Sequence, residues 1–238
     1  MKHYIITRNS YPASYEHAAA RRELTLKYTV PSLQRQRNMD FVWVLAGTNG
    51  LSEADTRGIN TVFLNTPPAS NFDSTTYVIQ QAISELAIED PQGTKIVTTR
   101  LDNDDVLRPD FVSIVQEQAQ SLDRGVIDLS GIRVDTRFGK VYEDLVYQKV
   151  PSPFLSMVEI KNCKRCRLAS AYYDQHSLMH RHFPCHKLTE VGWVQIIHDT
   201  NKVMARPQAE VAARGRILDW DYADTIAALT EAATPKMA

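Results

Sequence analysis

The stretch that decides the fold class of this chain is Lys95-Ile96-Val97-Thr98-Thr99-Arg100-Leu101-Asp102-Asn103-Asp104-Asp105. Its first seven residues are mostly apolar or β-branched, which predicts a buried β-strand. Three carboxylates, those of Asp102, Asp104 and Asp105, follow within four residues. In open parallel sheets, ligands bind beyond the carboxyl ends of the strands. The stretch therefore predicts a central strand with an acidic ligand site at its end.

Strand-like and helical runs alternate on both sides of this stretch. Strands are predicted at 3–7, 41–46, 61–64 and 95–101, with helices at 16–27, after 31, at 73–87 and after 109. This alternation indicates an α/β fold with a Rossmann-like, mostly parallel sheet and helices on both faces. From residue 125 the pattern becomes mixed, with strands at 125–135, 140–147, 154–160 and 193–197 and a helix at 221–232.

The domain organisation follows from length and composition. No linker or composition change divides the 238 residues, so we predict a single domain, 1–238, with an α/β half, 1–125, and a mixed half, 126–238. The net charge of −1 argues against a general nucleic-acid-binding protein, which would need a basic excess. No apolar run approaches the ~20 residues of a transmembrane helix. The stretch from Met1 to Arg8 meets a charge too early for a signal peptide, so none is predicted and we expect a cytoplasmic protein.

The acidic cluster has two interpretations. Three carboxylates this close repel one another unless a cation or hydrogen-bond donors compensate them. Mg²⁺ and Mn²⁺ commonly bridge one or two carboxylates to substrate phosphates, which would place a metal and a diphosphate here. The alternative is a solvated acidic turn that caps the helix predicted after Pro109.

Three segments resemble one enzyme family. Residues 98–105 resemble the strand and DxD motif of GT-A glycosyltransferases of the family 2 type. Residues 30–44 resemble the second strand-helix region of bacterial rhamnosyltransferases, and 193–201 resemble their C-terminal segment. The resemblance implies a GT-A fold in which 1–125 binds a nucleotide sugar and 126–238 binds the acceptor.

The resemblance also implies a set of site residues. Mn²⁺ or Mg²⁺ would bind at Asp102, Asp104 and Asp105, with His198 completing the metal or diphosphate site. The nucleotide sugar would contact Asp102 and Asp104, while Arg8 and Arg100 would pair with the diphosphate or with the acidic cluster. Many GT-A enzymes carry a base-recognising acidic residue after the second strand. Residues 47–50 contain none, which leaves the nucleobase open.

Candidates for a catalytic base lie in the second half. An inverting transferase needs a base for the acceptor hydroxyl. The candidates are Asp174, Glu190 and His176, with Asp174 first because Tyr172 and Tyr173 precede it and tyrosine rings can stack on sugars. An ordinary polar loop is the alternative.

Cysteines and histidines are concentrated in the same half. The group contains Cys163, Cys166, His176, His180, His182, Cys185 and His186. It could hold a structural zinc, or it could be a basic loop with reduced cysteines, since its spacing matches no zinc module and the cysteine count is odd.

The function predicted from these observations is metal-dependent, inverting transfer of a sugar, with rhamnose suggested by the resemblance. The partners would be a nucleotide-sugar donor and a glycan or other hydroxyl acceptor. If the acceptor is held in a membrane, the protein would reach it by peripheral contact with that membrane. Two alternatives stay open. One is a phosphatase of the haloacid dehalogenase type with Asp102 as nucleophile and Asp219, Asp221 or Asp224 as later acidic residues. The other is a non-catalytic sugar- or nucleotide-binding protein.

Overall fold

A computed structural model describes residues 1–8, 15–47, 50–64, 72–145, 147–164, 167–198 and 215–218. The elements in chain order are β1 (Lys2–Arg8), α1 (Tyr15–Leu24), α2 (Val30–Gln34), β2 (Val42–Ala46), β3 (Thr61–Leu64), α3 (Phe72–Leu86), β4 (Lys95–Leu101), β5 (Val106–Leu107), α4 (Phe111–Gln120), β6 (Arg124–Asp135), β7 (Lys140–Asp144), β8 (Ser156–Ile160), β9 (Cys185–Ile197) and β10 (Gly215–Ile217). A π-helical turn, Thr25–Thr29, joins α1 to α2, and a 3₁₀ turn spans His176–Arg181.

The strands form one mixed sheet. β3, β2, β1 and β4 are parallel neighbours in that order, with Ile5 opposite both Trp43 and Thr99. On the other side of β4 the sheet continues through β8, β6, β7 and β10 in antiparallel pairs, while β9 runs parallel to β6. The predicted α/β fold, with a parallel first half and a mixed second half, is confirmed.

Helices cover both faces of the parallel half, as predicted. On one face, α2 and α4 bury Leu33 and Phe111 against Ile5 and Trp43. On the other face, α3 buries Ile79 and Ile83, and Ala87, just past its last residue, continues the same spacing. Burial of this apolar area is the main favourable term for the fold, and it fixes the sheet beneath the site.

β9 is longer than its sequence indicated. Only 193–197 were predicted as a strand, yet β9 begins at Cys185 and also pairs with the unpredicted β5. Residues 185–190 are mostly exposed and lack an alternating apolar pattern, so nothing local marks them as a strand. Across the bulge in this ladder, the Trp193 ring lies over Gly131, where any Cβ would be 2.1 Å from the ring.

Two predictions concern residues outside the described ranges. These are the helix at 221–232 and the acidic residues Asp219, Asp221 and Asp224. The helix predicted at 73–87 is α3, which runs from Phe72 to Leu86.

Candidate active site

The site lies at the carboxyl edge of the parallel strands. β1 ends at Arg8, which is half-buried and opposite Ala46 at the end of β2. The neighbouring β4 ends at Leu101, so Asp102 leaves the sheet at the same edge. This is the edge at which the sequence predicted a ligand site.

Asp104 is the most densely contacted carboxylate of the acidic cluster. Its Oδ2 lies 2.9 Å from His198 Nε2 and accepts a hydrogen bond from Arg21 Nη1 at 2.5 Å. The same Arg21 nitrogen donates to Asn103 Oδ1 at 3.2 Å. Asp104 and His198 are both buried, which strengthens electrostatic interactions between them and Arg21. The structure therefore brings Asp104 and His198 into direct contact.

Asp105 is turned into the protein. Its Oδ1 accepts the backbone N–H of Ile196 at 2.7 Å, and its carbonyl accepts the hydroxyl of Thr29 at 2.9 Å. Burial raises the pKa of Asp105 well above its usual range, and the nearby charges of Asp104 and Asp102 raise it further. The bond to Ile196 fixes the acidic loop to β9, two residues before His198.

Asp102 is the most accessible of the three aspartates, with 35% of its side chain exposed. Arg100 Nη2 lies 3.8 Å from its Oδ1, and the Arg100 guanidinium lies 5.0 Å above the ring of the buried Tyr172. Arg100 itself is buried. A guanidinium fixed beside an accessible carboxylate can contact a phosphate bidentately.

His176 adjoins the same charges from the second half. Its Nδ1 lies 2.9 Å from the Pro151 carbonyl, which fixes the tautomer with the proton on Nδ1 and leaves a lone pair on Nε2. Burial lowers the pKa of His176, and the positive charge of Arg100 lowers it further, whereas the Pro151 bond and Asp102 act in the opposite direction. Its ring also meets that of Tyr147 edge-on, with 5.5 Å between the centroids.

The other two candidate bases lie in different surroundings. Asp174 Oδ2 is 2.8 Å from His182 Nε2, and both line a surface hollow beside α3. Glu190 is exposed on β9, next to the bulge. No contact of either residue with the acidic cluster is present among the described side chains.

The cysteine and histidine group is dispersed over several elements. Cys163 is exposed in a loop, Cys185 and His186 begin β9, and His176 and His180 belong to the 3₁₀ turn. Cys166 lies outside the described ranges. Burial raises the pKa of the Cys185 thiol to about 11, so this cysteine carries its proton at neutral pH.

Two described residues are best placed to hold a cation, Asp104 and His198. No set of three His, Cys, Asp or Glu side chains in the described ranges is arranged around one point. The carboxylate of Asp104 and the imidazole of His198 nevertheless suit a divalent ion that takes its remaining ligands from a diphosphate and from water. Arg21 shares the same oxygen and is the feature that sequence analysis missed, since one arginine on a helix carries no distinguishing signal.

Comparison with known proteins identifies the class. Residues 6–210 match the family model described as "Putative rhamnosyl transferase". The chain belongs to this family, so the resemblance stated from its sequence is confirmed. Within the described ranges, no helix combines the length and the hydrophobicity needed to cross a membrane.

Solved structures that resemble this one include those of TarS from S. aureus. The TarS 1–349 complex with UDP-GlcNAc has a TM-score of 0.48 and 11% identity, covering 87% of this chain and 61% of that chain. The TarS 1–349 complex with UDP has a TM-score of 0.46 and is 11% identical; the alignment covers 84% of this chain and 61% of that chain. This chain thus spans about three fifths of the length of those chains. No curated protein matches it in sequence.

Proposed function

We propose that this protein transfers a sugar from a nucleoside diphosphate sugar to a hydroxyl group of an acceptor. One observation carries the proposal: Asp104, His198 and the accessible Asp102 converge at the carboxyl edge of a parallel sheet in a chain of a glycosyltransferase family. Family membership also favours this function over the phosphatase alternative. Rhamnose is the proposed sugar, from the family description.

A divalent cation is part of the proposal, and Asp104 and His198 would hold it. Mn²⁺ suits a mixed carboxylate and imidazole set better than Mg²⁺, which prefers oxygen ligands alone. When bound, the cation would neutralise the negative charge of the diphosphate leaving group. Asp102 is accessible enough to serve as a further ligand, whereas we assign Asp105 a positioning role through its bond to Ile196.

Donor binding would also use the two arginines at this edge. Arg100 is buried and lies 3.8 Å from Asp102, so its charge is already in place when a diphosphate arrives. Arg8 ends the neighbouring strand at the same level. Fixed cationic donors around a leaving group stabilise charge that develops in the transition state without reorganisation.

The acceptor would be activated by His176. Its bond to Pro151 holds Nε2 as a proton acceptor, and its lowered pKa keeps the ring neutral near pH 7. The acceptor oxygen would form a bond to the anomeric carbon while the bond from that carbon to the diphosphate breaks. The acceptor proton would pass to His176 Nε2, and attack opposite to the leaving group would invert the anomeric centre. Asp174, already paired with His182, is the second candidate.

The proposal is tested by thermal unfolding with a panel of nucleoside diphosphate sugars, in Mn²⁺ and in EDTA, together with donor hydrolysis. A ligand that binds only the folded state raises its melting temperature. Stabilisation and hydrolysis should require the cation and should be lost in Asp104→Asn but retained in the exposed control Asp123→Asn. Equal stabilisation in EDTA would contradict the metal role, and no response to any donor would contradict glycosyl transfer.

A further inference from the structure

A surface hollow of about 560 Å³ lies beside α3, apart from the acidic cluster. Its walls come from α3, from residues 167–174 and from the start of β6. Asp102, Asp104 and His198 do not line it. The donor site described above therefore does not account for this hollow.

Arg167 is held in the hollow by a neutral partner. Gln80 Oε1 accepts a bond from Arg167 Nε at 2.9 Å and a second from Nη2. Gln80 is itself buried and donates to the Tyr172 carbonyl at 3.1 Å, so the guanidinium is held by a fixed side chain. Among the described residues, no carboxylate forms an ion pair with Arg167. Its charge is thus oriented and available to an anion.

Two tyrosines give the hollow accessible ring surface. Tyr77 is 56% exposed and Tyr173 is 46% exposed. The guanidinium of Arg167 lies 5.2 Å from the ring centre of Tyr77, which fixes that ring, while Tyr173 meets His182 edge-on. Rings with an apolar body and a polar tip suit the mixed apolar and hydroxylated faces of a sugar.

A second arginine and a polar pair complete the wall. The Arg124 side chain is 57% exposed and forms an ion pair with Glu159, with 3.5 Å between Nη2 and Oε1. Asp174 and His182 form their own pair at 2.8 Å and can exchange hydrogen bonds with hydroxyl groups. The hollow therefore combines a guanidinium held by a neutral side chain, a second arginine paired with Glu159, stacking surface and hydroxyl-binding groups.

We propose that this hollow binds the acceptor, and that the acceptor is a saccharide carrying a negative charge. The proposal rests on the glycosyltransferase function proposed above. Residues 167–174 lead into the 3₁₀ turn that begins at His176, the proposed base, and Asp174, the second candidate base, itself lines the hollow. Arg167 would select the negative charge, and Tyr77 and Tyr173 would bind the sugar rings.

Calorimetric titration tests the site with three probes: a trigalacturonate, glucose 1-phosphate and the neutral maltotriose. Both charged probes should bind the wild-type protein more tightly than maltotriose. Tighter binding of trigalacturonate would indicate that the site prefers a carboxylate, and tighter binding of glucose 1-phosphate that it prefers a phosphate. Arg167→Gln should weaken the charged probes about tenfold, the usual effect of losing one charge-assisted hydrogen bond, and leave maltotriose unchanged. Tyr77→Ala should weaken all three.

The controls are an arginine and an aromatic ring outside the hollow. Arg57 is exposed, and Phe138 is 46% exposed with Arg137 over its ring at 4.9 Å, which reproduces the pairing of Tyr77 and Arg167. Arg57→Gln and Phe138→Ala should bind all probes as the wild type does. The proposal is overturned if neither charged probe binds, if maltotriose binds equally well, or if Arg167→Gln leaves charged-probe binding intact.

Donor measurements separate this proposal from the one on which it rests. Hydrolysis of a nucleoside diphosphate sugar and stabilisation by the donor need no acceptor, so both should persist in Arg167→Gln and Tyr77→Ala. If the wild-type protein binds no donor but binds charged saccharides at the hollow, the transferase function fails and the site stands. If donor chemistry is intact while the hollow binds nothing, only the acceptor assignment fails.

Discussion

His198 Nε2 lies 2.9 Å from Asp104 Oδ2, although 94 positions separate the two residues in the chain. Arg21 reaches the same carboxylate oxygen from α1 at 2.5 Å. This carboxylate of the acidic cluster is thus shared by two nitrogen-bearing side chains from opposite halves of the protein. A cation that binds Asp104 through this oxygen must therefore share it with Arg21 or displace Arg21.

Arg21→Gln is expected to tighten binding of Mn²⁺ in the absence of nucleotide. The substitution removes a like charge from the proposed cation site, and the change should be about tenfold, since a charge at this range contributes on the order of 1–2 kcal/mol in a partly screened site. Calorimetry or electron paramagnetic resonance measures the affinity directly. Arg22→Gln, which loses a contact with Asp55 instead, is the matched control and should not change it. Unchanged or weaker Mn²⁺ binding in Arg21→Gln would contradict the expected competition.

His176→Ala should lower kcat by ~10² to 10⁴ while leaving donor binding intact, because a general base acts on the acceptor proton. In the wild-type enzyme, kcat should fall at acidic pH with an apparent pKa below the ordinary imidazole value of about 6.5. The reason is that burial lowers the pKa of His176 and the charge of Arg100 lowers it further. Asp174→Asn should turn over nearly normally. If Asp174→Asn is inactive and His176→Ala active, the base is Asp174.

His3 should make the protein less stable at acidic pH. It is fully buried on β1, where its Nε2 lies 2.7 Å from Thr99 Oγ1, and burial lowers its pKa to about 3. Between the folded value and the unfolded value of about 6.5, only the unfolded chain takes up a proton at this position. Stability is therefore complete above pH 6.5 and is lost as the pH falls below it, by up to about 1.4 kcal/mol per pH unit.

Urea unfolding between pH 7 and pH 4.5 measures this loss. His3→Gln keeps a polar side chain within reach of the Thr99 hydroxyl but cannot titrate, so its stability should depend less steeply on pH than that of the wild type. His180→Gln, at an exposed position, should retain the wild-type slope. Equal slopes in His3→Gln and the wild type would show that another group carries the pH dependence.

Lys161→Met should cost a few kcal/mol of unfolding free energy. The buried ammonium of Lys161 donates to the carbonyls of Ala87, Ile88 and Asp90, just beyond the end of α3. A methionine of similar length would leave these acceptors without their donor. Chemical denaturation measures the difference, with the exposed Lys149→Met expected to cost little. A loss no larger than that of the control would contradict the capping role.

The parallel half of the fold was predictable because its signals are local. The apolar, β-branched run of β4 was predicted with the bounds that the structure has, Lys95–Leu101, and so was β3. Helices at 3.6-residue periodicity between such strands leave few topologies open, so the sequence alone places the acidic cluster at the ligand edge of the sheet. The first half of β9 carries no such periodicity, and it was missed.

The sequence by itself determined that three aspartates follow a buried strand; only the tertiary structure decided how they differ. Asp102 stays accessible, Asp105 turns inward to the Ile196 amide, and Asp104 meets both Arg21 and His198. These contacts span 83 to 94 positions and depend on how β9 lies along β6 and on where α1 crosses the sheet edge. Residue type and spacing encode local conformation, whereas strand register and helix placement emerge from packing of the whole core.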